Sequence, residues 1–352
     1  MADSISLTNF STGAGCGCKI APAVLAQILG TSTTQNPFPH LLVGNESQDD
    51  AAVYDLGNGQ ALVATTDFFT PIVDDPFVYG QVAAANALSD VYAMGGNPLL
   101  ALAIMGWPVD QIDPKWAAEV LAGGRSICAA AGIPLAGGHS ISSPEPIFGL
   151  AVNGLVQLSH LKKNNTALPG DWLLLTKPLG VGILSTAQKK QKLQPADAEV
   201  LVNQLVQLNS VGAALGQLPA VTAMTDVTGF GLVGHLTEMA QGSGCSAELY
   251  YQQVPKIPAA LAYLKERLVP DATYRNWNAY STGVSFEKGV DVMEAFSLLP
   301  DPQTNGGLLL AVAPEGLTAV QACLKNAGWG DFLQPIGRMI DKEEKTIQVL
   351  NR

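Results

Sequence analysis

Charge is scarce in this chain. Only 14% of its 352 residues are charged, and 19 basic residues face 30 acidic ones for a net charge of −11. A phosphate backbone is neutralised by clustered Lys and Arg, and here the basic residues are scattered, which argues against a general nucleic-acid binder. Cysteine is sparse and odd in number, five in all, which is too few to staple a chain of this length and fits a reducing, cytoplasmic setting. Long apolar runs are also missing: "GLLLAVAP" stops far short of the ~20 residues of a membrane helix. The opening "MADSISLTNFSTG" has neither the basic nor the apolar region of a signal peptide. The absence of any G-x-x-x-x-G-K-S/T removes the P-loop as a phosphate cradle.

What is present is ample apolar material, 47% of residues, enough at roughly 100 to 200 residues per domain for two domains. Residues 1–40 read as a glycine-rich movable arm containing a short helix in "APAVLAQILG" and a polar linker, "TSTTQNPFPH". Residues 41–158 follow the order hairpin, helix, strand, helix, strand. After a polar boundary in "SHLKKNNTALPGD", residues 170–352 resume an α+β alternation. In "DDAAVYDLGNGQALVATTDFF" the Gly-Asn-Gly between alternating runs predicts a β-hairpin. A two-residue Asn58-Gly59 turn would set Asp50 opposite Asp67, a like-charged pair that needs a cation, a proton or another register. Asn86 and Asp90 share one face of the next helix.

Asp49, Asp50, Asp67, Asp90 and Asp226 each stand at the end of an element beside polar or glycine-rich sequence, a setting that suits hard-cation ligands and equally suits caps and loops. Mg²⁺ keeps several waters and takes further donors from substrate phosphates, so a few scattered aspartates suffice. "GGHSISSPEPIFG" places Gly138, His139 and Ser140 on what reads as a glycine-rich loop able to hold phosphate oxygens, or as a plain turn. The glycines Gly229, Gly231 and Gly234, with Glu248 further on, match a dinucleotide fingerprint. The charge of Asp226 just ahead of them, where a pyrophosphate would lie, argues against it.

"GAGCGCK" sets Cys16 and Cys18 one residue apart, without the second pair of ligands that zinc needs and without the C-x-x-C spacing of a redox pair. Flanking glycines suit an arm that closes over a ligand, with Lys19 supplying positive charge. Cys128, Cys245 and Cys323 lie in apolar sequence and read as core.

Seven ordered motifs, "GAGCGCK", "DDAAV", "TTDFF", "NALSDVYAMGG", "GGHS", "MTDVTGFGLVGHLTEM" and "DPQTNGGLL", together resemble the selenophosphate synthetase (selenide, water dikinase) family. The resemblance runs from about residue 7 to the C-terminus. It implies the two-domain α/β fold of aminoimidazole ribonucleotide synthetase, with the N-terminal strands forming a β-barrel across a homodimer. It implies conversion of ATP, selenide and water to selenophosphate, AMP and orthophosphate, with Mg²⁺ required and K⁺ stimulating. A selenium-delivery protein is a further expected partner. By motif, Cys16 matches the essential cysteine or selenocysteine, Lys19 the lysine that contacts ATP, and Asp50, Asp90 and Asp226 the Mg²⁺ ligands. Ser47, Gln48, Asp49, Asp67 and Gly138-His139-Ser140 match nucleotide-site positions. One departure stands out: Asn305 occupies a place where the family usually has serine. The competing readings are another ATP-using enzyme of this fold, of the purine-pathway synthetase or thiamine-phosphate kinase type, and a selenium or metal carrier without catalysis.

Overall fold

The computed structural model describes residues 5–11, 13–18, 20, 24, 27, 28, 38–45 and 49–352, with Cys16 and Cys18 described by their backbone alone. The helix expected in residues 21–30 and the positions Lys19, Ser47 and Gln48 fall largely or wholly outside the described residues.

The first half builds one six-stranded sheet. Its elements are β1 (Leu41–Val43), β2 (Ala52–Asp55), β3 (Gln60–Phe69), α1 (Pro76–Ala93), β4 (Asn97–Trp107), α2 (Pro114–Ala130), β5 (Leu135–Ser142) and β6 (Ile147–Gln157), and the strand order is β1-β2-β3-β6-β4-β5. The β2–β3 hairpin forms as expected, but its register differs by one residue. Ala52 pairs with Ala64 and Val53 with Val63, and Leu56 N–H donates to the carbonyl of Gln60. The loop is therefore Gly57-Asn58-Gly59, with positive φ at both glycines (74° and 85°). A one-residue slip reverses which face each side chain takes, so Asp50 does not oppose Asp67; the partner of Asp67 is Leu150 on β6.

Helix α1 starts where Asp75 accepts a hydrogen bond from Val78 N–H and Pro76 presets the first turn. It is rich in small residues because it is buried nearly all round. A Cβ on Gly80 would lie 1.9 Å from the Val120 carbonyl, and one on Gly123 1.9 Å from the Phe77 carbonyl. Glycine at both positions lets α1 and α2 meet backbone to backbone. The C-terminal turns of α1 thereby run under the second half of the chain.

That half builds a seven-stranded sheet, order β10-β13-β9-β12-β7-β11-β8. Its elements are β7 (Trp172–Leu175), α3 (Val181–Lys189), α4 (Pro195–Val206), α5 (Val211–Gly216), β8 (Val221–Asp226), α6 (Gly231–Gly242), β9 (Ser246–Tyr250), α7 (Pro258–Lys265), α8 (Asp271–Tyr280), β10 (Val284–Phe286), α9 (Val292–Leu298), β11 (Leu308–Val312), α10 (Leu317–Asn326), β12 (Gly337–Ile340) and β13 (Ile347–Leu350). Strand β8 is an edge that pairs antiparallel with β11, not the parallel strand a dinucleotide fold requires. Gly231, at φ 69°, packs against Leu299 and Pro300, and Gly234 against Phe230 and Tyr280. These glycines serve packing, and Glu248 pairs with Arg338.

Among the described residues no helix is long and apolar enough to cross a membrane. Cys128 and Cys245 are buried and Cys323 half-buried, all three as free thiols; burial pushes the Cys128 thiol up to about 11.

Candidate active site

The site lies where the end of α1 and the residues before β2 meet the end of β8. Thr225 Oγ1 donates to Asp50 Oδ1 at 2.8 Å, linking residues 175 apart in sequence. Ser89 Oγ donates to Asp226 Oδ2 at 2.5 Å and accepts from Asn209 Nδ2 at 2.8 Å. Thr65 Oγ1 donates to Asp90 Oδ2 at 2.5 Å. Asp49 accepts from the Asn164 N–H at 3.2 Å. Asp90 and Asp226 are 7% and 1% exposed, so both carboxylates depend on protein partners, or on a cation, for compensation.

The electrostatics are those of a carboxylate cluster. Burial, then the charges of Asp226, Asp49 and Asp90, holds the Asp50 carboxyl well above the usual carboxylate range. Burial pushes Asp49 up to about 6. Asp50 Oδ2 is buried and makes no hydrogen bond, an open acceptor facing like charges. Among the described residues no group of three or more His, Cys, Asp or Glu side chains is placed to hold a metal ion by itself. All-oxygen donors, mutual repulsion and one open lone-pair site fit a hard divalent cation that completes its sphere with water and phosphate. One countercharge is built in: Lys177, 1% exposed, whose amine burial lowers to about 7 while Asp226 draws it back up.

Asp67 joins through a relay. Asn86 Nδ2 donates to Asp67 Oδ2 at 2.6 Å, and Asn86 Oδ1 accepts from the Asn305 N–H at 2.7 Å. Asn305 adopts φ 48°, a left-handed conformation asparagine tolerates better than most residues. Its Nδ2 donates to the carbonyls of Leu205 (2.7 Å) and Gln207 (2.9 Å), and its own carbonyl accepts from Lys177 Nζ at 2.8 Å. Asn305 thus sits in the seam between the halves, bonded to Asn86 of the first and to Leu205, Gln207 and Lys177 of the second.

Asp49, Asp50, Asp90 and Asp226 are therefore neighbours, and Asp67 is one hydrogen-bonded residue removed from Asn305. Gly138, His139 and Ser140 are not on a loop: they are in edge strand β5, paired with Ala103, Ile104 and Met105 of β4 and exposed. The glycine pair hid the strand: both adopt positive φ (158° and 152°), a conformation open to glycine and rare for other residues. Two strands separate β5 from β3, about 14 Å at the usual spacing. Thr65, Ser89, Asn164, Lys177, Asn209 and Thr225 were not foreseen as site residues, because polar residues in small-residue helices and strand ends carry no distinctive spacing.

The Gly15–Cys18 turn and the residues before it are docked against both halves. Gly15 N–H donates to the Thr70 carbonyl at 3.1 Å, Arg275 Nη2 to the Gly17 carbonyl at 2.8 Å, and Lys189 Nζ to the carbonyls of Ser11 and Gly13 at 3.2 and 3.1 Å.

Residues 48–156 match the model of the AIR synthase related protein, N-terminal domain, and residues 169–350 that of the AIR synthase related protein, C-terminal domain. Among solved structures, thiamine-monophosphate kinase from Stenotrophomonas maltophilia is similar with a TM-score of 0.64 at 20% identity, covering 94% of this chain and 96% of that one. Hydrogenase maturation protein HypE in complex with ATP is similar with a TM-score of 0.64 at 19% identity, over 97% and 94% of the two chains. At that identity these likenesses establish the two-domain α/β fold alone. Full-length sequence similarity is far closer to another group. A selenide, water dikinase of Yersinia pseudotuberculosis is 54% identical over 97% of both chains, and one of Pseudomonas putida 53% identical over 99% of this chain and 100% of that one. With an interdomain carboxylate cluster in an AIR synthase-like fold and identity above half along its whole length, this chain belongs to the selenide, water dikinase family.

Proposed function

We infer that the protein makes selenophosphate from selenide, ATP and water, releasing AMP and orthophosphate. The observation that carries this reading is the group formed by Asp50, Asp90 and Asp226, drawn from both halves of the chain, with an open buried oxygen on Asp50. Asp50, Asp90 and Asp226 would hold Mg²⁺, with K⁺ as a stimulating cation. Bound there, the divalent ion would supply charge compensation to the phosphates.

The chain's own residues do the rest. Ser89, Thr65 and Thr225 hold the carboxylates of Asp226, Asp90 and Asp50 in place, which matters because phosphoryl transfer is accelerated chiefly by positioning and charge stabilisation. Asp67, oriented by Asn86, and the Ser47-Gln48-Asp49 segment line the nucleotide, with Gly138-His139-Ser140 contributing from the same exposed sheet. Lys19 meets the phosphates, and Cys16 handles the selenium donor from an arm that screens the intermediate from water. The open face of the first sheet carries exposed Tyr54, Phe68, Leu99, Leu102 and Ile141, an apolar surface that favours the homodimer barrel. A cytoplasmic location and a selenium-delivery partner complete the proposal.

The test is product analysis. With ATP and Mg²⁺, selenide should elicit AMP and orthophosphate in equal amounts, and Cys16→Ser and Asp226→Asn should each abolish this. ADP as final product, or turnover indifferent to selenide, would favour a kinase of the thiamine-phosphate type. Binding without turnover would favour a carrier.

A further inference from the structure

A pocket of about 570 Å³ opens between the glycine turn of the arm, the segment after β3, α3 and α8, and its lining includes none of the five aspartates of the candidate active site. In a chain with a net charge of −11 its polarity is inverted: Lys189, Lys190 and Arg275 face one carboxylate, Asp271. Two net positive charges remain, a match for a dianion.

The donors are in place. Arg275 commits Nη2 to the Gly17 carbonyl, and a guanidinium has five N–H donors in a fork that fits two oxygens of one oxyanion. At the inner wall Thr70 Oγ1 is buried and makes no hydrogen bond, although Thr70 lines the pocket. A buried hydroxyl left unpaired is costly, and an anion's oxygen would satisfy it. The arm carbonyls that Lys189 and Arg275 now hold are neutral acceptors, weaker than an ionised oxygen.

We propose that this pocket binds a small tetrahedral oxyanion of the phosphate class, with Arg275 and Lys190 at its mouth and Thr70 at its inner wall. The anion shares Lys189 and Arg275 with the carbonyls of Ser11, Gly13 and Gly17, so its binding alters the hold on the Gly15–Cys18 turn. This inference does not rest on the reaction assigned above. A chain of any activity with this pocket would bind the same class of ion.

The test is titration of inorganic phosphate into the full-length protein, followed by ³¹P line width, for wild type, Arg275→Met, Lys190→Met and Thr70→Val. Saturable binding is expected in wild type, weakened about tenfold by loss of a charge-assisted donor in Arg275→Met and severalfold in the others. Phosphate should also change hydrogen exchange at the Gly13–Cys18 amides in wild type but not in Arg275→Met. Lys190 is exposed, so its variant tests the pocket free of any folding defect. Repeating the titration with a saturating non-hydrolysable ATP analogue separates the two sources of such a group. Unchanged binding assigns the pocket to free phosphate, and competition assigns it to a phosphate of the nucleotide. Unsaturable broadening, or an affinity indifferent to all three substitutions, overturns the proposal.

Discussion

Ser89, near the end of α1, and Asp226, the last residue of β8, are joined by a 2.5 Å hydrogen bond across 137 residues of sequence. The same hydroxyl accepts from Asn209, which also donates to the Gly306 carbonyl, so one small side chain ties three segments to a buried carboxylate. Removing it in Ser89→Ala should cost about 1.5–3 kcal/mol, the range for a hydrogen bond to a charged group. The check is the urea midpoint at unchanged m-value. A loss within experimental error would mean that the seam is held elsewhere.

Asp50 offers a test of the cation reading without any turnover. Its folded-state pKa lies well above the ordinary carboxylate value through burial and the neighbouring aspartates, so the folded chain binds its proton more tightly than the unfolded chain does. That contribution is fully present below about pH 4 and is lost as pH rises toward the folded value. Metal-free protein should therefore lose stability from this group as pH climbs above 4, and Asp50→Asn should melt higher than wild type at pH 7. Adding Mg²⁺ should raise the melting temperature of wild type and leave the variant nearly unmoved. A wild-type protein indifferent to Mg²⁺ would remove the basis for the assignment.

Asn305 should be matched to its backbone rather than interchangeable with serine. At φ 48° a residue without asparagine's tolerance of the left-handed region pays about 1 kcal/mol. Serine is also too short to reproduce both side-chain bonds, to Leu205 and Gln207. Asn305→Ser is expected to lower stability by about 1–3 kcal/mol, and Asn305→Gly to keep the backbone while losing those two bonds. Because the Asn305 N–H holds Asn86 and Asn86 holds Asp67, both variants should raise the KM for ATP more than they lower kcat. Equal stability of the serine variant and wild type would show that the turn adapts freely.

The two halves, the hairpin and most strands of the seven-stranded sheet could be read from alternation and from polar breaks such as that near residue 160, because burial on one face writes itself into sequence. The five aspartates were visible as element ends, and four of them do converge. What could not be read was register and long-range hydrogen bonding. A Gly-Asn-Gly loop admits two closures, and the one adopted separates Asp50 from Asp67. The pair Gly137-Gly138 looked like a loop because glycine is common in turns, yet a Cβ on Gly138 would sit 2.1 Å from the Ala103 carbonyl, so glycine there permits close strand pairing. Ser89 and Asn209 are ordinary residues in sequence and acquire meaning only when the halves meet.

Asp301 carries the last prediction. It is fully buried, its Oδ2 accepts from the Gly182 N–H at 2.9 Å and from Gln303 Nε2 at 2.8 Å, and its Oδ1 has no hydrogen-bond partner. Gly180, at the start of α3, offers no side-chain cap, so Asp301 supplies from 119 residues away the acceptor that the first turn needs. Burial nevertheless dominates those bonds and pushes its carboxyl up to about 8. An acid whose folded value is raised stabilises the fold fully below about pH 4 and loses that contribution as pH rises through 8. Asp301→Asn keeps the shape and an oxygen for Gly182 but cannot ionise. The difference in unfolding free energy between variant and wild type should therefore move in the variant's favour from pH 5 to pH 9, with most of the change complete by about pH 8. Asp49, raised to about 6, and Asp50 titrate in both proteins and drop out of that difference. A difference independent of pH would show that Asp301 is ionised throughout and that the α3 amide bonds, rather than burial, set its protonation.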